Sequence, residues 1–243
     1  MRLFVRCALY GLLSFTLVRA SVGADVMAQT MQMDDAARFA KLWVDQLEWR
    51  SGPQSESAWQ GEGWYGGDAN KAGLRSEGNA LADRLEDARA ELFWDRIVAR
   101  WWSLQLGARE DYGVGPTRAW AAFGVRGLAL QGISVEATLY AGAAARTAAR
   151  LKLEYELLST QRLVLQPEIE LNLYGRAGPE RDMDSGVSDL EVGLRLRYEV
   201  RREFAPYAGV VWVKRRTASA EVMSLSAAAT DEVRIAVGVR IWL

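Results

Sequence analysis

Between Asp189 and Val200, apolar and polar residues take turns along the chain. Leu190, Val192, Leu194, Leu196, Tyr198 and Val200 share one face, and Asp189, Glu191, Arg195, Arg197 and Glu199 share the other. A helix would scatter these apolar residues around its circumference, whereas a strand separates the two sets. The rhythm recurs. Leu163, Leu165, Pro167, Ile169, Leu171 and Leu173 alternate with Gln166, Glu168, Glu170, Asn172 and Tyr174. Leu151, Leu153, Tyr155 and Leu157 alternate with Lys152, Glu154 and Glu156, and Ile133, Val135, Ala137 and Leu139 with Ser134, Glu136, Thr138 and Tyr140. The last segment puts Val233, Ile235, Val237, Val239, Ile241 and Leu243 on one face. Strands of soluble proteins average about 5–6 residues, while membrane-crossing strands need roughly 9–11. Several runs here reach that length. The pattern predicts an all-β fold, an antiparallel transmembrane β-barrel with one face toward lipid and the other toward a polar lumen. A soluble barrel would reverse the faces, and the period itself does not tell inside from outside.

The period-two template predicts about twelve strands, at 40–50, 57–67, 70–78, 84–94, 101–111, 117–127, 131–141, 148–158, 161–174, 187–200, 205–215 and 232–243. The first three carry many glycines and polar residues, so about ten strands is the alternative count. With both chain termini in the periplasm, connections alternate sides and the outside ones are longer. The two longest, 175–186 and 216–231, both fall outside in the twelve-strand count, and the short ones at 128–130 and 159–160 fall on the periplasmic side. Trp49, Trp94, Trp101, Trp102, Trp212 and Trp242 lie near predicted strand ends, where aromatic girdles belong. Ordinary packing is the alternative reading of these residues.

The first residues read as an export signal. Arg2 and Arg6 precede an apolar stretch from Cys7 to Val18, and Val22-Gly23-Ala24 offers a cleavage site. The stretch is too short to span a bilayer as a helix. Residues 1–24 are therefore predicted as a signal peptide, with an uncleaved amphipathic start as the alternative. Residues 25–39 read as a short flexible leader and 40–243 as the barrel. Cys7, the one cysteine, falls in the signal, so the mature chain forms no internal disulfide and must be stabilised some other way, of which barrel closure in a membrane is one. The predicted location is the outer membrane of a Gram-negative cell, reached through the periplasm. The partners this implies are outer-membrane lipid and the barrel insertion machinery.

The chain contains no histidine, which removes the commonest general base and metal ligand. Outer-membrane hydrolases generally pair a nucleophile or activated water with histidine, so no enzymatic activity is expected. A Ser–Lys arrangement is supported by no motif. A net charge of −1 gives nucleic acid no basic surface to recognise. Three features carry metal chemistry or its bland counterpart. Met27, Met31 and Met33 bring soft thioethers that suit Cu(I), or are plain residues of a tether. Lumen-facing charges, among them Glu154, Glu168, Glu170, Asp189, Glu191, Arg195 and Arg197, either pair to fill a narrow barrel or line a polar path for a cation. A barrel of about twelve strands falls between filled eight-stranded and open sixteen-stranded ones, so a narrow, partly plugged lumen is expected. Asp182-Met183-Asp184, after Glu180, offers oxygen ligands without the spacing of a calcium loop, and reads first as a solvated acidic loop.

Several strings carry a family resemblance: Asp45-Gln-Leu-Glu-Trp-Arg50, Gly66-Gly-Asp-Ala-Asn-Lys71, Trp120-Ala-Ala-Phe-Gly-Val-Arg126, the run LEYELLSTQRLVLQPEIELNLYG from Leu153 to Gly175, Ser188-Asp-Leu-Glu-Val-Gly-Leu-Arg-Leu-Arg-Tyr-Glu199 and Arg202-Glu-Phe-Ala-Pro-Tyr207. In these the chain resembles the copper resistance protein B family, from about residue 41 to the C-terminus. The resemblance implies an outer-membrane barrel that supports copper tolerance by binding or passing copper ions, with periplasmic copper-handling proteins as partners. Copper would be Cu(I) if methionines hold it. A narrow porin-like or structural barrel without a copper role is the alternative. Two features depart from the family pattern. The family's leader is often long and rich in Met and His, whereas here it is reduced to MAQTMQM with no His, and the chain ends in Leu243 where barrels often end in Phe.

Overall fold

The computed structural model describes residues 37–52, 55–81, 84–113, 115–175, 186–216 and 229–243. The strands run in chain order as β1 (Phe39–Arg50), β2 (Glu56–Gly66), β3 (Asn70–Leu81), β4 (Arg84–Ala99), β5 (Trp102–Gly113), β6 (Arg118–Leu128), β7 (Ser134–Gly142), β8 (Arg146–Glu154), β9 (Leu157–Leu158), β10 (Leu163–Tyr174), β11 (Gly186–Tyr198), β12 (Phe204–Arg216) and β13 (Ala229–Trp242). Apart from the two-residue β9, they are 9 to 16 residues long, the length a tilted membrane-crossing strand needs. Each long strand pairs antiparallel with the next. β10 pairs with β11, and β13 returns to β1 through Trp43–Trp242 and Trp49–Val237. The sheet therefore closes into a twelve-strand barrel with β9 as a short flap on β10. The glycine-rich first three strands are full members, so the ten-strand alternative is excluded. The glycine-rich stretch of β2 still pairs at every position with β3.

The faces are inverted relative to a soluble barrel. Leu92, Leu139, Leu194, Val233, Ile235 and Val237 point outward and are exposed, while Glu48, Arg75, Glu136, Arg150, Glu168 and Arg195 are buried inside. An exposed apolar wall around a charged interior suits hydrocarbon outside. Among the described residues, no helix is long and apolar enough to cross a membrane. Trp49, Trp94 and Trp102 are exposed on the outer wall, and Trp101 is exposed in the turn before β5, as a girdle requires. Trp242 departs from this expectation. It shares the lumen face of β13 with Arg240, whose guanidinium lies 5.7 Å over its ring.

Two local features depart from simple alternation. In β1 the register shifts between Val44 and Gln46 against β2, and between Val44 and Leu47 against β13. This β-bulge turns both Asp45 and Gln46 into the lumen, where both line one small cavity. The second feature ends β8 at Glu154 rather than at 158. The Tyr155 N–H donates to the Pro167 carbonyl at 3.1 Å, but proline has no N–H to return. Tyr155 and Glu156 leave the ladder there, and pairing resumes only at β9.

Candidate functional site

The seven lumen charges singled out in the sequence lie on lumen-facing positions of β8, β10 and β11. Met27, Met31 and Met33 lie outside the described residues, as do Glu180, Asp182, Met183 and Asp184. The interior is a web of ion pairs. Arg195 reaches Glu48 at 3.1 Å, Glu168 at 3.2 Å and Glu191 at 3.6 Å. Arg150 holds Glu77 at 2.9 Å and Glu170 at 2.8 Å, and Arg89 contacts both of those acids. Arg75 bridges Glu62 at 3.0 Å and Glu136 at 2.6 Å. Lys152 contacts Glu154 at 2.6 Å, and Arg197 contacts Glu156 at 3.1 Å.

Register alone places like charges side by side: Glu168 faces Glu154, and Glu170 faces Glu191. Arg150 and Lys152 on β8 supply part of the compensation, and the rest comes from across the lumen. Gln46 on β1 donates to Glu168 at 3.1 Å, Arg50 on β1 reaches Glu191 at 2.8 Å, and Arg89 on β4 reaches Glu170 at 2.8 Å. The Lys152 ammonium donates to the Gln60 side-chain oxygen at 2.9 Å, joining β8 to β2 on opposite sides of the ring. A charge confined away from water persists only when paired and hydrogen-bonded, and side chains from all around the barrel supply those partners. Not all of the interior is charged. Val211, Val213 and Ala236 form an apolar cluster inside the barrel, and Trp120 packs with Ala122 and Tyr140. Gly238 leaves the space taken by the Tyr207 ring, since a Cβ there would stand 2.7 Å from Tyr207 Cζ. The Tyr207 hydroxyl donates to Glu48 at 2.9 Å.

Among the described residues, two small cavities lie in the half of the lumen nearest the C-terminus. One of about 30 Å³ touches Asp45, Gln60, Glu62, Arg75, Ser134 and Glu154. The other, of about 10 Å³, touches Asp45, Gln46, Glu154, Arg197, Tyr207 and Arg240. A single water needs about 10–15 Å³, so each holds one or two waters at most. The bridged interior predicts that the purified protein in a planar bilayer shows no steady porin-sized conductance. A large resting conductance would overturn the bridging described here.

For metal chemistry the barrel wall offers oxygen and little else. No strand contains Met, Cys or His, and no group of three or more metal-binding side chains occurs among the described residues. The carboxylates of the ion-pair web described above already face guanidinium or ammonium groups. Sequence reasoning missed Glu48, Arg50, Glu56, Glu62, Arg75 and Glu77, which complete the web from β1 to β3. The even spacing of Glu56, Gln60, Glu62 and Trp64 was the available signal in β2. In β1 the bulge broke the spacing.

Comparison with known proteins adds a family. A family model described as copper resistance protein B precursor matches residues 38–243. A copper resistance protein B homolog of Pseudomonas syringae pv. tomato is 41% identical over 212 residues, covering 87% of this chain and 72% of its own. Copper resistance protein B of Escherichia coli is 40% identical over 210 residues, covering 86% of this chain and 71% of its own. Among solved structures, a NanC porin superposes with a TM-score of 0.55 at 13% identity, over 82% of this chain and 98% of the porin. A KdgM porin gives 0.50 at 14% identity, over 84% and 98%. At such identity the likeness speaks for the barrel fold alone.

Proposed function

This chain belongs to the copper resistance protein B family, and on that premise we propose that it supports copper tolerance by holding copper at the outer membrane, without a standing pore. The observation that carries the reading is the family match, which spans the whole barrel from residue 38 to residue 243. The bridged lumen favours holding over passing. Soft donors for Cu(I) are concentrated before β1, at Met27, Met31 and Met33, after a signal peptide that export would remove. The barrel then acts as the anchor that keeps these residues at the membrane. Periplasmic copper-handling proteins are the natural recipients of copper held there. The reading is non-enzymatic, because a chain without histidine lacks the usual base for hydrolysis.

The second reading, a narrow structural barrel without a copper role, draws on one observation. Glu48, Glu62, Glu154, Glu168, Glu170 and Glu191 are each engaged by a cation, which leaves no vacant ligand set among them. Growth separates the two. A deletion strain is expected to lose copper tolerance while its tolerance of detergent stays normal, and the intact gene is expected to restore it. Unchanged growth in copper would leave the structural reading standing.

A further inference from the structure

Across the lumen end nearest the C-terminus runs a continuous chain of polar contacts. Glu199 meets Arg197 at 3.5 Å, Arg197 meets Glu156 at 3.1 Å, Glu156 meets Arg240 at 3.0 Å and Arg240 meets Asp45 at 2.9 Å. The Trp43 indole N–H donates to Asp45 at 3.0 Å, the Arg126 guanidinium lies 5.9 Å from the Trp43 ring, and Arg126 contacts Glu62 at 2.6 Å. The belt thus links β11, the 155–156 break, β13, β1, β6 and β2. Immediately within lie both cavities, which share Asp45 and Glu154.

One member differs from the rest. Glu156 is not fixed in a strand, because Pro167 ends the β8–β10 ladder just before it. Its side chain is 47% exposed, against 4% for Arg197 and 23% for Arg240. A single oxygen, Oε1, accepts from both guanidinium groups. We propose that Glu156 is the latch of a gate at this end of the barrel, and that releasing its carboxylate from Arg197 and Arg240 widens the approach to the two cavities from the solvent on that side. Asp45, turned inward by the bulge, is the next charge a cation entering there would meet. The gate acts on access alone and stands whether or not copper is the ligand.

Acid is one way to release it. The charged groups around Glu156 are Arg197 and Glu199 from β11 and the turn after it, Arg240 from β13, Asp45 from β1 behind Arg240, and Glu154 from its own strand. Burial alone would raise the Glu156 carboxyl, but Arg197 and then Arg240 outweigh it and hold it below the ordinary carboxylate range. A depressed carboxyl contributes its contacts above that ordinary range and loses them as pH falls through the lowered value. The gate is therefore shut at neutral pH and released in acid.

Cysteine labelling tests this in a Cys7→Ser background, which has no other thiol. Ser134 lines the larger cavity, and Ser134→Cys places a near-isosteric thiol there. Labelling by a small cationic thiosulfonate is expected to run about tenfold faster with Glu156→Gln than with Glu156 at neutral pH. Two ion pairs that share one half-exposed carboxylate support a change of that order. The ratio of the two rates should fall to one in acid, where both side chains are neutral. Equal rates at neutral pH overturn the latch. Should Glu156→Gln fail to fold, the Ser134→Cys protein itself decides the matter, since salt screens a half-exposed pair. A labelling rate unchanged between low and molar salt would overturn it equally.

Discussion

Replacing Arg195 by leucine is expected to cost the barrel about 3–5 kcal/mol, the range for breaking a buried ion pair by removing one partner. Leu194→Ala, one residue away, is expected to cost roughly 2 kcal/mol, the transfer energy of the lost methylene groups. The contrast follows from the faces. Arg195 is buried and serves Glu48, Glu168 and Glu191 together. Without it Glu48 keeps Arg50 and Tyr207, and Glu191 keeps Arg50, but Glu168 is left with the Gln46 amide and a Lys152 ammonium 3.8 Å away. A leucine in that position adds an apolar side chain among carboxylates and hydrates none of them. Leu194 stands half exposed on the outer wall, and lipid fills the space that an alanine leaves there. Urea midpoints of unfolding from lipid or micelles measure the difference. Equal midpoints for the two variants would contradict the assignment of faces.

That assignment was legible in the sequence wherever strict alternation held. In β10, β11 and β13, charged and apolar residues separate by parity, and the structure puts them on the faces the parity predicts. Legibility failed at places with a physical cause. The bulge at Asp45 and Gln46 places two successive residues on one face, so parity read through it gives the wrong side for half of β1. Pro167 looked like an ordinary outward residue of β10, and its missing N–H, which ends β8, matters only once the partner strand is known. The inner face of β12 is apolar, at Val211 and Val213, and its outer face is apolar too at Val210, so parity carried no signal there. Least legible was the pairing itself. Register set Glu168 against Glu154 and Glu170 between Lys152 and Glu191, an arrangement that neighbours alone compensate only in part. Strand order around a closed ring, which a linear sequence does not display, brings Gln46, Arg50 and Arg89 to those acids.

The same reasoning sharpens the expectation for copper. With Met27, Met31 and Met33 changed together to leucine, Cu(I) binding is expected to weaken by at least ~100-fold, since loss of even a group that supports a metal ligand costs about 10- to 100-fold. The substitution keeps size and apolarity and removes only sulfur, so hard-ion binding by carboxylates should not change. The barrel is expected to fold normally, because the three residues precede Phe39, where β1 begins. The strands described have no soft donor to take over, and the carboxylates of the ion-pair web are held by arginine and lysine. Copper tolerance should therefore fall close to that of the deletion strain, whereas an open ion path through the lumen would preserve much of it. Residual Cu(I) binding would report Met183 and Met223, the methionines other than Met1 that lie outside the leader. An anaerobic titration against a Cu(I) chelator measures the affinity, and growth in copper measures the consequence. A triple variant that binds Cu(I) as tightly as the parent would reduce the leader to a tether and move the search for copper to oxygen ligands. Lost binding with undiminished tolerance would instead separate copper holding from the protection it is proposed to give.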